Sequence, residues 1–342
     1  MPDRAWDATP DPAHSTEGNT TADPTGPPSE APPVLVEVVR SGFVEGRHRG
    51  AVVLLDRDGA VARAWGRVDV PLFPRSCNKP LQAAAMLRAG VELAGERLAL
   101  AAASHSGEPF HLRLVRRMLA EHRLSEELLG CPADLPLDQE AAREWLAAGH
   151  QPSPVAMNCS GKHTAMLATC GAAGWPVDGY LDPGHPLQRA ITDTVERLAG
   201  EPVAQVGVDG CGAPLLSLSL TGLARSFRAC VLAPEGAPER RVADAARAHP
   251  EYVAGSRRHD TWLMRGLPGA LAKMGAEGVQ AVALPDGRAL AFKVEDGARR
   301  ALGPVLAHAL RLMGVTAPVL DRVAEAPVTG GGRPVGALRA VF

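Results

Sequence analysis

Val279-Gln280-Ala281-Val282-Ala283-Leu284-Pro285-Asp286-Gly287-Arg288-Ala289-Leu290-Ala291-Phe292-Lys293-Val294 reads as two apolar runs around a Pro-Asp-Gly turn. Short runs of this kind, bounded by turn residues, predict strands over 279–284 and 288–294 joined as a hairpin. The same pattern stands near the other end of the chain. Residues 34–39 form a β-rich run, and 51–55 and 60–65 are joined by Asp56-Arg57-Asp58-Gly59. Between the two hairpins, helical spacing predicts helices over 79–88, 110–123, 139–148, 161–170, 186–198 and 239–248. A last helix is expected over 298–312. Strands at both ends with helices between them fold most simply as one antiparallel sheet, built from 34–70 and 270–300. A helical lobe from about 79 to 265 then packs beside it and leaves a cleft at the junction. The class is α+β, and the absence of βαβ alternation argues against a doubly wound sheet.

Residues 1–33 contain eight prolines and six acidic residues against one arginine, so a disordered tail is expected there. A single catalytic domain should occupy 34–342. Apolar residues make up 46% of the chain and aromatics only 4%, so the core must be assembled from Ala, Leu and Val. A formal charge of −2 provides no basic footprint for nucleic acid. No run is apolar enough for a membrane span, and the start lacks the features of a secretory signal. A cytoplasmic chain with reduced cysteines is therefore expected. The six cysteines, at 77, 131, 159, 170, 211 and 230, are too scattered for a disulfide scaffold.

Ser76-Cys77-Asn78-Lys79-Pro80 lies between a proline-bounded loop and an apolar helix. Residues i and i+3 share a helix face, so Lys79 can approach the Ser76 hydroxyl. A serine needs a neighbouring base to become nucleophilic, and a lysine serves once burial or nearby charge lowers its pKa. Pro80 is tolerated in a first helical turn. The motif S-x-x-K is common, and its weight here comes from company in a fixed order. Ala103-Ser104-His105-Ser106-Gly107-Glu108 follows as a small polar turn, and Lys273-Met274-Gly275 precedes the second hairpin. Serine acyl transferases use S-x-x-K, a Ser-containing turn and K-T-G in this order. Only the Thr is missing here.

A second constellation is Asn158-Cys159-Ser160-Gly161-Lys162-His163 with Asp209-Gly210-Cys211-Gly212. Conventional ligand spacing selects Cys159, His163 and Cys211 for zinc, and the alternative is that both thiols are simply buried. Glu45 and His48 fall in a Gly-rich stretch read as a loop bordering the cleft.

Together, Arg75-Ser76-Cys77-Asn78-Lys79-Pro80, Ala103-Ser104-His105-Ser106, Asn158-Cys159-Ser160-Gly161-Lys162-His163, Asp209-Gly210-Cys211, His249-Pro250-Glu251-Tyr252-Val253-Ala254-Gly255 and Gly269-Ala270-Leu271-Ala272-Lys273-Met274-Gly275 resemble the thermolabile L-asparaginase II family of rhizobial type. The resemblance runs from about residue 35 to 332. It implies a serine β-lactamase-like fold, a homodimer, and hydrolysis of L-asparagine to L-aspartate and ammonia. It also implies two Ser–Lys pairs, Ser76 with Lys79 and Ser104 with Lys273. Glu45, His48, Arg75, His105, Asp209 and Gly210 are the expected substrate-binding residues. The family's zinc is held by two cysteines and a lysine, which map to Cys159, Lys162 and Cys211; that set is preferred here to one containing His163. Ser106-Gly107-Glu108 departs from the family by replacing a second serine of the turn. The alternatives are a serine-type glutaminase and a non-catalytic, zinc-dependent amino-acid-binding protein.

Overall fold

The computed structural model describes residues 31–342; of the tail expected over 1–33, residues 1–30 lie outside the described residues. The expected boundary at 33 moves slightly, because the carbonyls of Pro32 and Pro33 already accept hydrogen bonds from Arg49 and Gly50. The strands are β1 (Val34–Arg40), β2 (Phe43–Leu55), β3 (Val61–Trp65), β4 (Val206–Val208), β5 (Pro214–Leu216), β6 (Leu271–Met274), β7 (Val279–Ala283), β8 (Ala289–Val294), β9 (Pro327–Gly330) and β10 (Arg333–Ala340). Eight of them form one antiparallel sheet in the order β6-β7-β8-β2-β1-β10-β9, with β3 also on β2; β4 and β5 form a separate ribbon.

The 279–294 hairpin forms as its residues require. Val279 faces Lys293 and Ala283 faces Ala289, and the turn closes with Gly287 N–H donating to the Leu284 carbonyl at 3.0 Å. The two chain ends meet at β2, whose residues 50–55 pair with β8 while its earlier residues pair with β1. The α+β arrangement and the sheet built from both ends are therefore as expected. Two details differ. The sheet extends past 300 through the β9–β10 hairpin, and Glu45 and His48 lie on strand β2 rather than in a loop. The alternation of exposed and covered positions along β2 explains the second point. Glu45, Arg47 and Arg49 face outward on a strand that needs only one apolar face, while His48 falls on the covered side.

Every residue of β7 is buried, so both faces of the sheet are covered there. The Leu220–Leu232 helix packs on β2, β7 and β8, and the Leu302–Leu312 helix on β1, β7 and β10. In the lobe, the helix Lys79–Arg88 is buried on all sides as far as Leu87. Its Ala83-Ala84-Ala85 run lets the helices Ser160–Ala173, Pro186–Ala199 and Pro238–Ala248 approach it closely. A helix buried all round carries Lys79 into the centre of the molecule. Among the described residues no helix is long and apolar enough to cross a membrane.

Candidate active site

Ser76 lies in a short 3-10 turn, Arg75–Asn78, that runs directly into the buried Lys79–Arg88 helix. The turn is entered through Arg75 at φ 52°, a left-handed conformation that costs a side-chain-bearing residue roughly 1–3 kcal/mol. The surroundings hold it there. Arg75 Nε donates to Asp209 Oδ1 at 2.8 Å, Asn78 Nδ2 donates to the Leu216 carbonyl at 2.9 Å, and Cys77 Sγ donates to the Lys273 carbonyl at 3.0 Å. Asp209 is itself partly buried, which pushes its pKa up, but Lys162 and Arg75 more than compensate and hold it below the usual carboxylate range.

The end of β6 is pressed against this turn. A Cβ on Gly275 would lie 2.4 Å from the Pro74 carbonyl oxygen and 3.3 Å from the Cys77 sulfur. Asp260, fully buried, fixes the same edge by accepting from Met274 N–H at 2.9 Å and from Gln280 Nε2 at 3.0 Å. Replacing Gly275 by Ala should therefore push the Ser76 turn away from β6. We expect a loss of about 2 kcal/mol of stability, read by thermal unfolding, with a disproportionate loss of turnover.

Ser104 comes from the loop after the Gly95–Ala101 helix. Its N–H donates to the Val253 carbonyl at 3.1 Å and the His105 N–H to the Asn158 carbonyl at 3.0 Å. His105 is wholly buried. Its Nδ1 accepts from Gly107 N–H at 3.2 Å, so Nε2 carries the proton and donates to Ser160 Oγ at 2.8 Å. Burial, with His111 nearby, pushes its pKa well down, so it is a neutral brace for the loop. Glu108 completes the anchorage by accepting from the backbone N–H and the hydroxyl of Ser256 at 2.8 and 2.6 Å. Gly255 makes this possible, since a Cβ there would collide with Ser106 Oγ at 2.2 Å.

Ser76 and Ser104 open on one cavity of about 240 Å³, with Asn158, Arg258, Met274, Gly275, Glu277 and Arg299 among its walls. Two fully buried lysines stand behind it. Lys79 Nζ donates to Ser104 Oγ at 2.8 Å and to Cys159 Sγ at 2.9 Å. The hydroxyl that Lys79 reaches is thus Ser104 rather than its helical neighbour Ser76. Lys273 Nζ donates to the Met274 carbonyl at 2.7 Å. Burial pushes the Lys273 ammonium down to about 8, with Lys79 and Arg258 acting in the same direction against Asp260.

Beside Lys79 lies the second constellation. Lys162 Nζ donates to Cys211 Sγ at 3.1 Å, and the two cysteines are close enough to share a proton. Cys159 is the thiolate of the pair. The Cys211 thiol holds it far below the usual thiol range, against burial, with help from Lys79 and Lys162. Burial pushes Lys162 down, but the two sulfurs outweigh it and keep its amine charged. His163 is anchored through Nδ1 to Tyr180 Oη at 2.7 Å, and its buried Nε2 has no hydrogen-bond partner. Among the described residues no three His, Cys, Asp or Glu side chains converge as a metal site. The cysteine pair suits a thiophilic metal, and the Lys162 amine beside it could serve as a third donor once a bound metal displaced its proton.

The other expected substrate-binding residues stand further back. Arg75, Asp209 and Gly210 form the wall behind the Ser76 turn. Glu45 is exposed and paired with Arg40 at 2.6 Å, and His48 bonds Asp296 at 2.6 Å and accepts from Arg300 Nε at 3.1 Å. Arg258, Glu277 and Arg299 line the cavity without having been singled out from sequence. None of them belongs to a spacing pattern, and Arg258 and Arg299 each stand in an Arg-Arg pair whose members the sequence does not tell apart.

The sequence matches the family model described as L-asparaginase II over residues 36–340. Among curated proteins none matches. Similar solved structures include a beta-lactamase from Mycobacterium bovis, with 16% identity and a TM-score of 0.44, over 78% of this chain and 94% of that chain. The structure titled Mglu in its native form shares 16% identity with a TM-score of 0.42, over 78% of this chain and 64% of that chain. EstCE1, titled a hydrolase with promiscuous acyltransferase activity, shares 11% identity with a TM-score of 0.43, over 80% and 93%.

Proposed function

The chain belongs to the L-asparaginase II family, and on that premise we propose that it hydrolyses the side-chain amide of L-asparagine, with Ser76 as nucleophile. The observation that carries this reading is the convergence of Ser76 and Ser104 on one small cavity backed by two buried lysines. Ser76 Oγ attacks the amide carbon and its proton passes to Lys273. Burial brings that amine's pKa down to about 8, near physiological pH, which suits it to act as the base. Lys79 donates to Ser104 and to the Cys159 sulfur, and it steadies the negative charge that develops in the pocket.

The C–N bond then breaks, the lysine returns the proton to the departing nitrogen, and ammonia leaves. Water attacks the Ser76 ester, giving L-aspartate and the free hydroxyl. Ser104, fixed by Lys79, positions the amide. Zinc, where bound, would be held by Cys159, Cys211 and Lys162 and would supply a Lewis-acidic anchor for the substrate's polar groups. The thiolate character of Cys159 and the contact between Lys162 and Cys211 support that ligand set.

The test is ammonia release from asparagine and from glutamine across pH. Turnover of asparagine in preference to glutamine is expected. Its kcat/KM should rise through a pH of about 8, as Lys273 loses its proton, and Lys273→Met should remove that limb. Preference for glutamine would move the assignment to a glutaminase, and no release from either amide would favour a binding protein.

A further inference from the structure

Arg257 and Arg258 are consecutive residues with opposite fates. Arg257 turns outward to Asp138 and Glu140, with Nη1 3.1 Å from Glu140 Oε2. Arg258 turns inward, becomes partly buried, and lines the cavity that holds Ser76 and Ser104. Among the described residues it has no acidic side chain within ion-pair distance, and its guanidinium makes one hydrogen bond, a long one from Nη1 to the Ser104 carbonyl at 3.4 Å. Asp260, the acidic group nearest in sequence, is already occupied by Met274 N–H and Gln280 Nε2. A guanidinium carries five donors in a planar fork, so most of its bonding capacity is unused here.

Drawing such a group from water without an anion is costly, and a carboxylate in the cavity would offset that cost with two parallel hydrogen bonds. The backbone is built to hold Arg258 at this place. Gly255, at φ +134°, lets the chain pass against Ser106, and Glu108 clamps Ser256, two residues before Arg258. The cavity also carries the opposite charge. Glu277 stands on its wall and is only loosely paired, with Arg75 Nη1 3.9 Å away.

We infer that Arg258 is the residue that binds the α-carboxylate of the amino-acid substrate, with Glu277 facing its α-ammonium group. This rests on the amidohydrolase reading above and deepens it. The cavity is polarised to match a zwitterion and selects free amino-acid amides over amides that lack the carboxylate.

The experiment compares the full-length protein and its Arg258→Gln and Arg258→Lys variants on L-asparagine and on 3-aminopropanamide, which is asparagine without its α-carboxylate. Wild-type protein should favour asparagine strongly. On the high-pH plateau, where Lys273 has lost its proton in either protein, Arg258→Gln should lose about 100-fold in kcat/KM on asparagine, mostly through KM, while 3-aminopropanamide changes by less than about threefold. Arg258→Lys keeps the charge without the fork and should recover about tenfold of the loss, which also guards against a variant that merely unfolds. An Arg258→Gln protein that loses both substrates equally while folded, or loses neither, overturns the inference and leaves the asparaginase reading standing. Failure of the wild-type protein to turn over asparagine overturns both.

Discussion

Ser76→Ala should lower asparagine turnover by about 10⁴-fold or more, leaving only what binding and the remaining polar groups contribute. The fold should survive. Ser76 is only partly buried, and among the described residues no hydrogen bond runs through its hydroxyl, whereas the neighbouring turn is pinned by Arg75, Cys77 and Asn78. Its unfolding midpoint should therefore stay close to that of the parent. Ser104→Ala makes the informative contrast. It removes the acceptor from a buried ammonium, so it should reduce both activity and stability, the latter by about 1–3 kcal/mol. Rapid-quench trapping of the acyl-enzyme, followed by mass spectrometry of the peptide carrying Ser76, would place the ester. Acylation of Ser104 in the parent protein, or full activity in Ser76→Ala, would remove Ser76 from the role of nucleophile.

Lys79→Met should be the second most damaging change, with a loss of about 10³-fold in kcat. The substitution keeps the length of the side chain in a fully buried helix, so packing is largely preserved. What disappears is the positive charge between Ser104 and Cys159. Lys79 is among the groups that hold the Cys159 thiol down, so removing it moves that pKa upward. The sign for stability follows. A depressed acid contributes stability that is fully present above its unfolded pKa and is lost as pH falls from there through its native pKa. In Lys79→Met protein treated with chelator, the loss should therefore be smaller and be complete at a higher pH than in the parent. Thiolate absorbance near 240 nm during an acid titration reads the shift directly. An unchanged titration would mean that Lys162 and Cys211 alone keep Cys159 ionised.

Much of the architecture was legible in the residues because its signals are local. The hairpin around Pro285-Asp286-Gly287 carries its own turn chemistry, and the strands at both chain ends leave few ways to complete a sheet. The β9–β10 hairpin escaped because Pro327 and Pro334 and the Gly330-Gly331-Gly332 turn dilute its apolar pattern; Pro327 sits on β9, the edge strand, where a missing N–H is tolerated. In the site, order along the chain was enough to single out Ser76, Lys79, Ser104 and Lys273. It was not enough to say which lysine touches which serine. That depends on how the buried helix is turned against the Asn158–Cys159 segment, a property of packing between segments about 80 residues apart. The inward Arg258 was invisible for a related reason, since only the partners of Arg257 distinguish the two.

The pairing of β1 with β10 has a consequence for how the molecule is made. During synthesis the first strands leave the ribosome long before Arg333–Ala340 exists to cover them. Until then β1 has an open flank, and β2 must also wait for β8. A topology with such distant partners raises the contact order and slows closure of the sheet, and the waiting strands offer an edge on which other chains can assemble. The nascent chain is most exposed to aggregation in this interval, so chaperone supply and translation speed should govern its yield more than the stability of the finished fold does.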